Sequence, residues 1–238
     1  EWTTYKGHAG MLGKERAFWN FISNSKEETE AIFRQAKERE ALIVLNHPFC
    51  PYCGWKWGMD SLPWDLIEVW NGALMPQANE KCLKWWDEQL NQGQKIAVTG
   101  GSDFHSLEPG RMPAMPCTCI FAESAEAGEL LRGLKKGHSF ITLSPQGPLL
   151  KVPTDEILPG DTVKAGTWLE MEFTGLKEGD NLLMIQNGST EKIVCEGQTQ
   201  TIKRKMEKKG YFRVEIRRRM FGGMEESLVF VSNSWYIE

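Results

Sequence analysis

The chain has 238 residues, enough to bury a full core as one large domain or two smaller ones. A quarter of its residues are charged and the formal net charge is −4 at pH 7, whereas a protein that binds nucleic acid by neutralising phosphates carries a basic excess. No apolar run of about eighteen residues is present, which excludes a membrane-spanning helix.

The sequence opens at Glu1-Trp2-Thr3-Thr4 without an initiator Met, so a preceding targeting segment would not be visible in it. Six cysteines in a chain of this length do not form a disulfide scaffold. They fit reduced thiols in the cytoplasm, with a bacterial envelope location left open.

Ser25 to Glu40 predicts a helix. Ser25 and Glu28 form a capping box, and Thr29, Ile32, Phe33 and Ala36 recur at helical spacing as one buried face. Ala41 to Leu45 is continuously apolar and predicts a strand buried on both faces, ending at Asn46-His47-Pro48. Leu66 to Trp70 is a second such strand, ending at Asn71-Gly72. A helix from about Pro76 to Gln92 follows, with proline at its first turn. Lys95 to Thr99 is a third strand, leading into Gly100-Gly101-Ser102-Asp103-Phe104-His105. Cys117 to Ala122 is a fourth, followed by a helix from about Ala125 to Lys136. Strand–helix alternation at this spacing predicts an α/β parallel sheet, open or closed into a barrel, with its chemistry at the C-terminal strand ends. Beyond Pro148 short alternating runs separated by Gly and Asp predict a small all-β, sandwich-like domain. The expected division is 1–147 and 148–238.

The polar punctuation falls at the strand ends. Asp103 and His105 are two residues apart on an extended segment and point the same way, so they can share a metal ion or bridge two. His47 ends a neighbouring strand, and Glu1 and His8 lie in the opening segment with Gly7 freeing the backbone. Three imidazoles and two carboxylates make a mixed nitrogen and oxygen donor set suited to Zn, Mn, Fe or Co. Taken singly, each has a plain alternative: His47 before Pro48 can cap a strand, and His138 after Lys135-Lys136-Gly137 is explained by a helix C-terminus. Asn46 and Asn71 can orient a ligand or substrate, or make strand-end hydrogen bonds. Arg111, after a Glu-Pro-Gly turn, can meet an anionic substrate or form a surface ion pair.

Glu1-Trp2-Thr3-Thr4 with Gly7-His8, Asn46-His47-Pro48, Ile67 to Gly72 and Gly100 to His105 occur in an order that resembles the PHP (polymerase and histidinol phosphatase) superfamily, and within it the CehA/McbA-type metallohydrolases. Leu130 to Pro148 is similar to the segment that closes the PHP domain in that branch, and the later β-rich part to its accessory domain. The resemblance implies a PHP-type distorted (β/α) barrel, N-terminally incomplete here, because the family's His-x-His motif and the Asp and His that follow it precede the Glu. It implies two or more divalent metal ions (Zn, Mn or Fe) in the complete protein. Glu1, His8, His47, Asp103 and His105 are the implied ligands, and Glu1 and Asp103 the catalytic positions. The implied activity is hydrolysis of a small-molecule phosphoester, or of a carboxylic or carbamic ester, by metal-activated water.

Other classes compete. An inactive, metal-poor module that binds ligands or partners would share these motifs. Cys50-Pro51-Tyr52-Cys53 is a C-x-x-C of thiol–disulfide redox type, although the following Gly54-Trp55-Lys56-Trp57-Gly58 reads as a loop where such chemistry expects a helix. Cys50 and Cys53 with Cys117 and Cys119 are a second option, a structural zinc. Trp55, Trp57, Trp64, Trp70, Trp85 and Trp86 are expected to form an aromatic core, the alternative being a platform for a sugar or ring.

Overall fold

A computed structural model describes residues 1–20, 22, 25–73, 76–107, 111–153, 157–220 and 225–238. Strands β1 (Trp2–Thr4) and β2 (Gly7–Leu12) form an antiparallel hairpin with Trp2 opposite Ala9. Next to β2 and antiparallel to it runs β3 (Leu42–Asn46), with His8 opposite Asn46. Parallel pairing then adds β4 (Leu66–Asn71) and β5 (Ala97–Gly101). Helix α1 (Lys26–Glu38) precedes β3, and the Ser25 hydroxyl caps it by accepting from the Glu28 N–H at 3.1 Å. Helix α2 (Pro76–Asn91) precedes β5 and buries Cys82, Leu83, Trp86 and Leu90.

After β5 the chain leaves this sheet. Strand β6 (Cys117–Ile120), helix α3 (Ala127–Lys136) and β7 (Ser139–Thr142) follow. Next come β8 (Leu149–Lys151), β9 (Thr162–Val163), β10 (Trp168–Thr174), β11 (Asn181–Gln186) and β12 (Ser189–Val194). The chain closes with β13 (Thr199–Lys205), β14 (Gly210–Arg219), β15 (Glu226–Ser232) and β16 (Trp235–Ile237). One sheet runs β13-β10-β8. The other runs β12-β11-β14-β15-β7-β6, with β16 and β9 beside it.

The barrel expected from the sequence does not form. Among the described residues there are sixteen strands and three helices, and the first sheet is open, in the order β1-β2-β3-β4-β5. A (β/α) barrel needs parallel strands, each linked to the next by a helix, and closure onto the first. Here β1 and β2 are joined by a hairpin without a crossover, and β6 pairs antiparallel with β7 instead of extending the parallel run. The fold is therefore β-rich. β7 also pairs with β15, so the second sheet crosses residue 147.

Two polar junctions lock the layers together. The Asn233 side chain accepts from the Val98 N–H at 2.8 Å and donates to the Val98 carbonyl and the Ser139 hydroxyl, joining β5 to β7. Fully buried Arg213 on β14 donates to both Asp87 oxygens on α2 at 2.8 and 2.6 Å and to Glu215 at 2.7 Å. Its guanidinium also lies over the Trp86 ring, 4.9 Å from the centroid. The six tryptophans read as core are there: Trp55, Trp70 and Trp86 are buried in one apolar cluster, and Trp57, Trp64 and Trp85 pack against it. No helix among the described residues is long and apolar enough to cross a membrane.

Candidate metal centre

The antiparallel register of β2 and β3 sets His8 opposite Asn46, which places His8 beside the strand end that carries His47. The two rings meet edge to face, with centroids 4.8 Å apart. Glu1 faces both: its Oε1 stands 3.5 Å from His8 Nδ1 and 3.5 Å from His47 Nε2. The Asn46 amide holds that same oxygen with a 2.8 Å hydrogen bond, while its carbonyl oxygen accepts from the Gly10 N–H at 3.3 Å. Gly7 makes the approach possible. Its φ is +140°, and a Cβ there would come within 2.5 Å of the Trp55 ring.

Electrostatics follow from this convergence. Burial pushes the Glu1 carboxyl up, but the facing imidazoles of His47 and His8 and the Asn46 amide outweigh it and hold Glu1 well below the usual carboxylate range. Burial pushes the His47 imidazole down; Glu1, Glu68 and Asp103 reverse this and raise it. His8 Nδ1 is buried and makes no hydrogen bond. The Glu1 carboxylate faces it at 3.5 Å, too long for a full hydrogen bond, and a metal ion between the two would engage both.

Behind His47 lies sulfur. Cys53 Sγ is 3.7 Å from His47 Nδ1, on the ring edge opposite Glu1, and 2.8 Å from Cys50 Sγ. His8, His47 and Cys53 form a group that can hold a metal ion, with their ligand atoms within 4.8 Å of one another. Burial and the Cys50 sulfur push the Cys53 thiol up to about 12. Burial also raises Cys50, but the Cys53 thiol and the Cys53 and Tyr52 N–H groups prevail and lower it. The segment is a turn, as the sequence indicated, with the Gly54 N–H donating to the Cys50 carbonyl at 3.0 Å.

Glu68 lies beneath. Its Oε2 accepts from the His47 N–H at 2.7 Å and from the Asn71 amide at 3.1 Å. The side chain meets a cavity of about 380 Å³ that Glu1, Asn46, Thr99 and Gly100 also line, with Val44, Ile120 and Leu134 as apolar wall. Enclosure by protein, opposed by His47 and Asn71, raises its carboxyl to about 7. His47 and Asp103 both have left-handed backbones, with φ of +31° and +48°. Such φ values are unusual for side-chain-bearing residues and recur at functional sites.

The structure thus brings Glu1, His8, His47 and Asn46 together, with Asp103 near enough for its charge to act on His47, Cys53 and Glu68. It does not bring His105 in: that side chain is 70% exposed, and its Nδ1 lies 2.7 Å from the Asp103 carbonyl oxygen. Asn71 is buried and structural. Its N–H donates to Asn79, its carbonyl accepts from Asn79, and its amide supports Glu68. Arg111 is half-buried and outside the cavity lining, and the 108–110 turn before it lies outside the described residues. Cys117 and Cys119 sit on β6 and do not join the metal-capable group, so a four-cysteine zinc is not built among the described residues. His138 pairs with Asp161 at 2.8 Å.

The sequence marks Cys53 as half of a redox pair and as one of four possible zinc cysteines, but not as a neighbour of His8 and His47, and Glu68 is not among its site residues. Glu68 carried a signal, being the one charge inside the apolar run Leu66 to Trp70.

No family model matches the chain, and no curated protein matches it. Two solved structures show weak likeness. Superoxide reductase (neelaredoxin) from Ignicoccus hospitalis is similar over 39% of this chain and 80% of its own, at 13% identity and a TM-score of 0.26. A calcium-binding mutant of Bacteroides uniformis beta-glucuronidase 2 is similar over 89% of this chain and 30% of its own, at 12% identity and a TM-score of 0.23. Likeness at this level defines neither fold nor function.

Proposed function

We propose that this chain carries a divalent-metal hydrolase centre acting on a small-molecule phosphoester, or a carboxylic or carbamic ester. The observation that carries the reading is the convergence of Glu1, His8 and His47, with one buried imidazole nitrogen left without a hydrogen bond. The ordered motifs similar to those of PHP phosphoesterases support it, because the same residues were singled out by order along the sequence.

In this reading Glu1, His8 and His47 hold the ion, with Asp103 as the adjoining carboxylate, and the donor chemistry suits Zn, Mn or Fe. Bound there, the ion supplies a polarised water at neutral pH and a counter-charge for the developing anion. The protein does the rest. Asn46 fixes the Glu1 rotamer, and the Glu68 hydrogen bond fixes the backbone that presents His47. Oε2 of Glu68 is held by two donors, which leaves Oε1 as the atom able to exchange a proton with solvent or substrate.

The test is hydrolysis of aryl phosphate, aryl acetate and aryl carbamate esters with added Mn(II) or Zn(II). Metal-dependent turnover lost in Glu1→Gln supports the reading. Metal binding without turnover of any ester class contradicts it and favours a ligand-binding module.

A further inference from the structure

The cysteine turn has no part in the proposed hydrolysis, yet its sulfur faces a ligand histidine. Cys50 and Cys53 lie 2.8 Å apart, sulfur to sulfur, with the Cys53 thiol donating to Cys50. The Cys53 N–H also points at the Cys50 sulfur, at 3.3 Å. The turn is closed on both sides: the Cys50 N–H donates to the His47 carbonyl at 2.9 Å, and its carbonyl accepts from Gly54. Because backbone bonds hold both sulfurs, little movement separates the dithiol from a disulfide of ordinary geometry. Cys50 is itself only 7% exposed, so an oxidant reaches it through the cleft beside it. Cys50 lines a cleft of about 580 Å³ bordered by Phe49, Trp55, Lys56 and Lys81. None of the other four cysteines offers a sulfur to the His8–His47 group.

We propose that Cys50 and Cys53 are a reversible oxidative-modification site, with hydrogen peroxide as oxidant, and that forming their disulfide withdraws the Cys53 sulfur from the His8–His47 metal group. The metal half of this inference rests on the proposed metal centre and takes Cys53 as a further ligand of its His8–His47 group; the disulfide half does not.

The chemistry balances. The Cys50 sulfur, its proton passing to solvent, attacks the peroxide and breaks the O–O bond. The hydroxide released takes up a proton and leaves as water, and Cys50 becomes a sulfenic acid. The Cys53 sulfur then attacks the Cys50 sulfur and breaks its S–O bond, its proton leaving with the hydroxyl as a second water. Two thiols lose two electrons to one peroxide. A thiol reductant reverses the step.

Oxidation ends the role of Cys53 as a donor, because a disulfide sulfur has no anionic form to ligate a metal. The Sγ facing His47 Nδ1 is then fixed in the disulfide, with no proton to give up to a metal. A metal that used this sulfur should then bind at least about tenfold more weakly, the range seen when a supporting group of a metal site is removed.

The experiment uses the whole chain, treated with hydrogen peroxide and then freed of it. Free thiols are counted, the peptide spanning both cysteines is weighed, and Zn(II) is titrated onto reduced and oxidised forms. The expected result is loss of two thiols, a peptide lighter by two hydrogens, and Zn(II) affinity lower by about tenfold or more, all restored by dithiothreitol. In Cys53→Ser, peroxide should leave Zn(II) affinity unchanged. A sulfinic acid or an intermolecular link in place of the disulfide overturns the proposal. So does an intact disulfide with unchanged Zn(II) affinity in a chain whose His8→Ala variant does lose Zn(II). If His8→Ala also leaves Zn(II) affinity unchanged, the metal-centre reading fails and takes the regulatory half with it, while the mass and thiol counts still decide the disulfide.

Discussion

The backbone N–H of His47 donates to the Glu68 carboxylate at 2.7 Å, tying the strand end that presents an imidazole to an enclosed acid on the neighbouring strand. The pair links stability to pH. Glu68 has a folded pKa of about 7 against an ordinary 4.5, so the folded state binds its proton more tightly than the unfolded one. Its contribution is therefore intact below about 4.5 and is lost as pH rises towards about 7, worth of the order of 3 kcal/mol. Glu68→Gln mimics the neutral form. In the metal-free chain, urea unfolding should show the variant close to wild type at low pH and more stable at pH 8. Parallel stability curves would show that Glu68 does not titrate in this window.

Glu1 has the opposite sign. Its folded carboxyl is held low, so the stability it contributes is present above the ordinary 4.5 and disappears as pH falls. Metal-free Glu1→Gln should lose stability at neutral pH, and its deficit against wild type should shrink steadily as pH falls below that value. Equal stability at pH 7, followed by urea unfolding, would mean that the imidazoles do not engage Glu1.

Asn46 supports the same carboxylate through the bond at 2.8 Å. Asn46→Ala should weaken Mn(II) or Zn(II) binding by about tenfold while leaving the fold intact, read by isothermal titration and far-UV circular dichroism. Unchanged affinity would reduce Asn46 to its backbone contact with Gly10.

The junction between α2 and β14 tests the fold independently of the site. Removing the Asp87 carboxylate leaves Arg213, fully buried, with Glu215 as its remaining acid partner among its recorded bonds. Asp87→Ala should cost about 3 kcal/mol or more, enough to lower the melting temperature by roughly 10 °C in a chain of this size. A shift under about 2 °C would mean that water replaces the carboxylate.

Much of this was legible in the sequence. The runs Ala41 to Leu45, Leu66 to Trp70 and Lys95 to Thr99 became β3, β4 and β5, pairing parallel as expected. The helices starting after Ser25 and at Pro76 lie where capping and proline signals put them. Pairing partners were not legible. Cys117 to Ile120 reads as a strand, but nothing in four residues tells that it pairs with β7 rather than β5; that choice is made by tertiary packing. The short strands β1, β7, β9 and β16 carry too few residues for a periodic signal. Of the three residues that converge, His47 was singled out by its strand-end position, and Glu1 and His8 by residue type in the opening segment. Cys53 was read as half of a C-x-x-C or as one of four zinc cysteines and not as a neighbour of His47, because its approach to His47 depends on a turn that no periodicity encodes.

The central claim is that Glu1, His8 and His47 form a metal site. Metal content and Zn(II) or Mn(II) titration of the wild-type chain, His8→Ala, His47→Ala and His105→Ala test it directly. The account predicts about one ion per chain in the wild type, lost in His8→Ala and His47→Ala and retained in His105→Ala, whose side chain points to solvent. Equal metal binding in the wild type and both the His8 and His47 variants, or none in any of them after reconstitution, would contradict it.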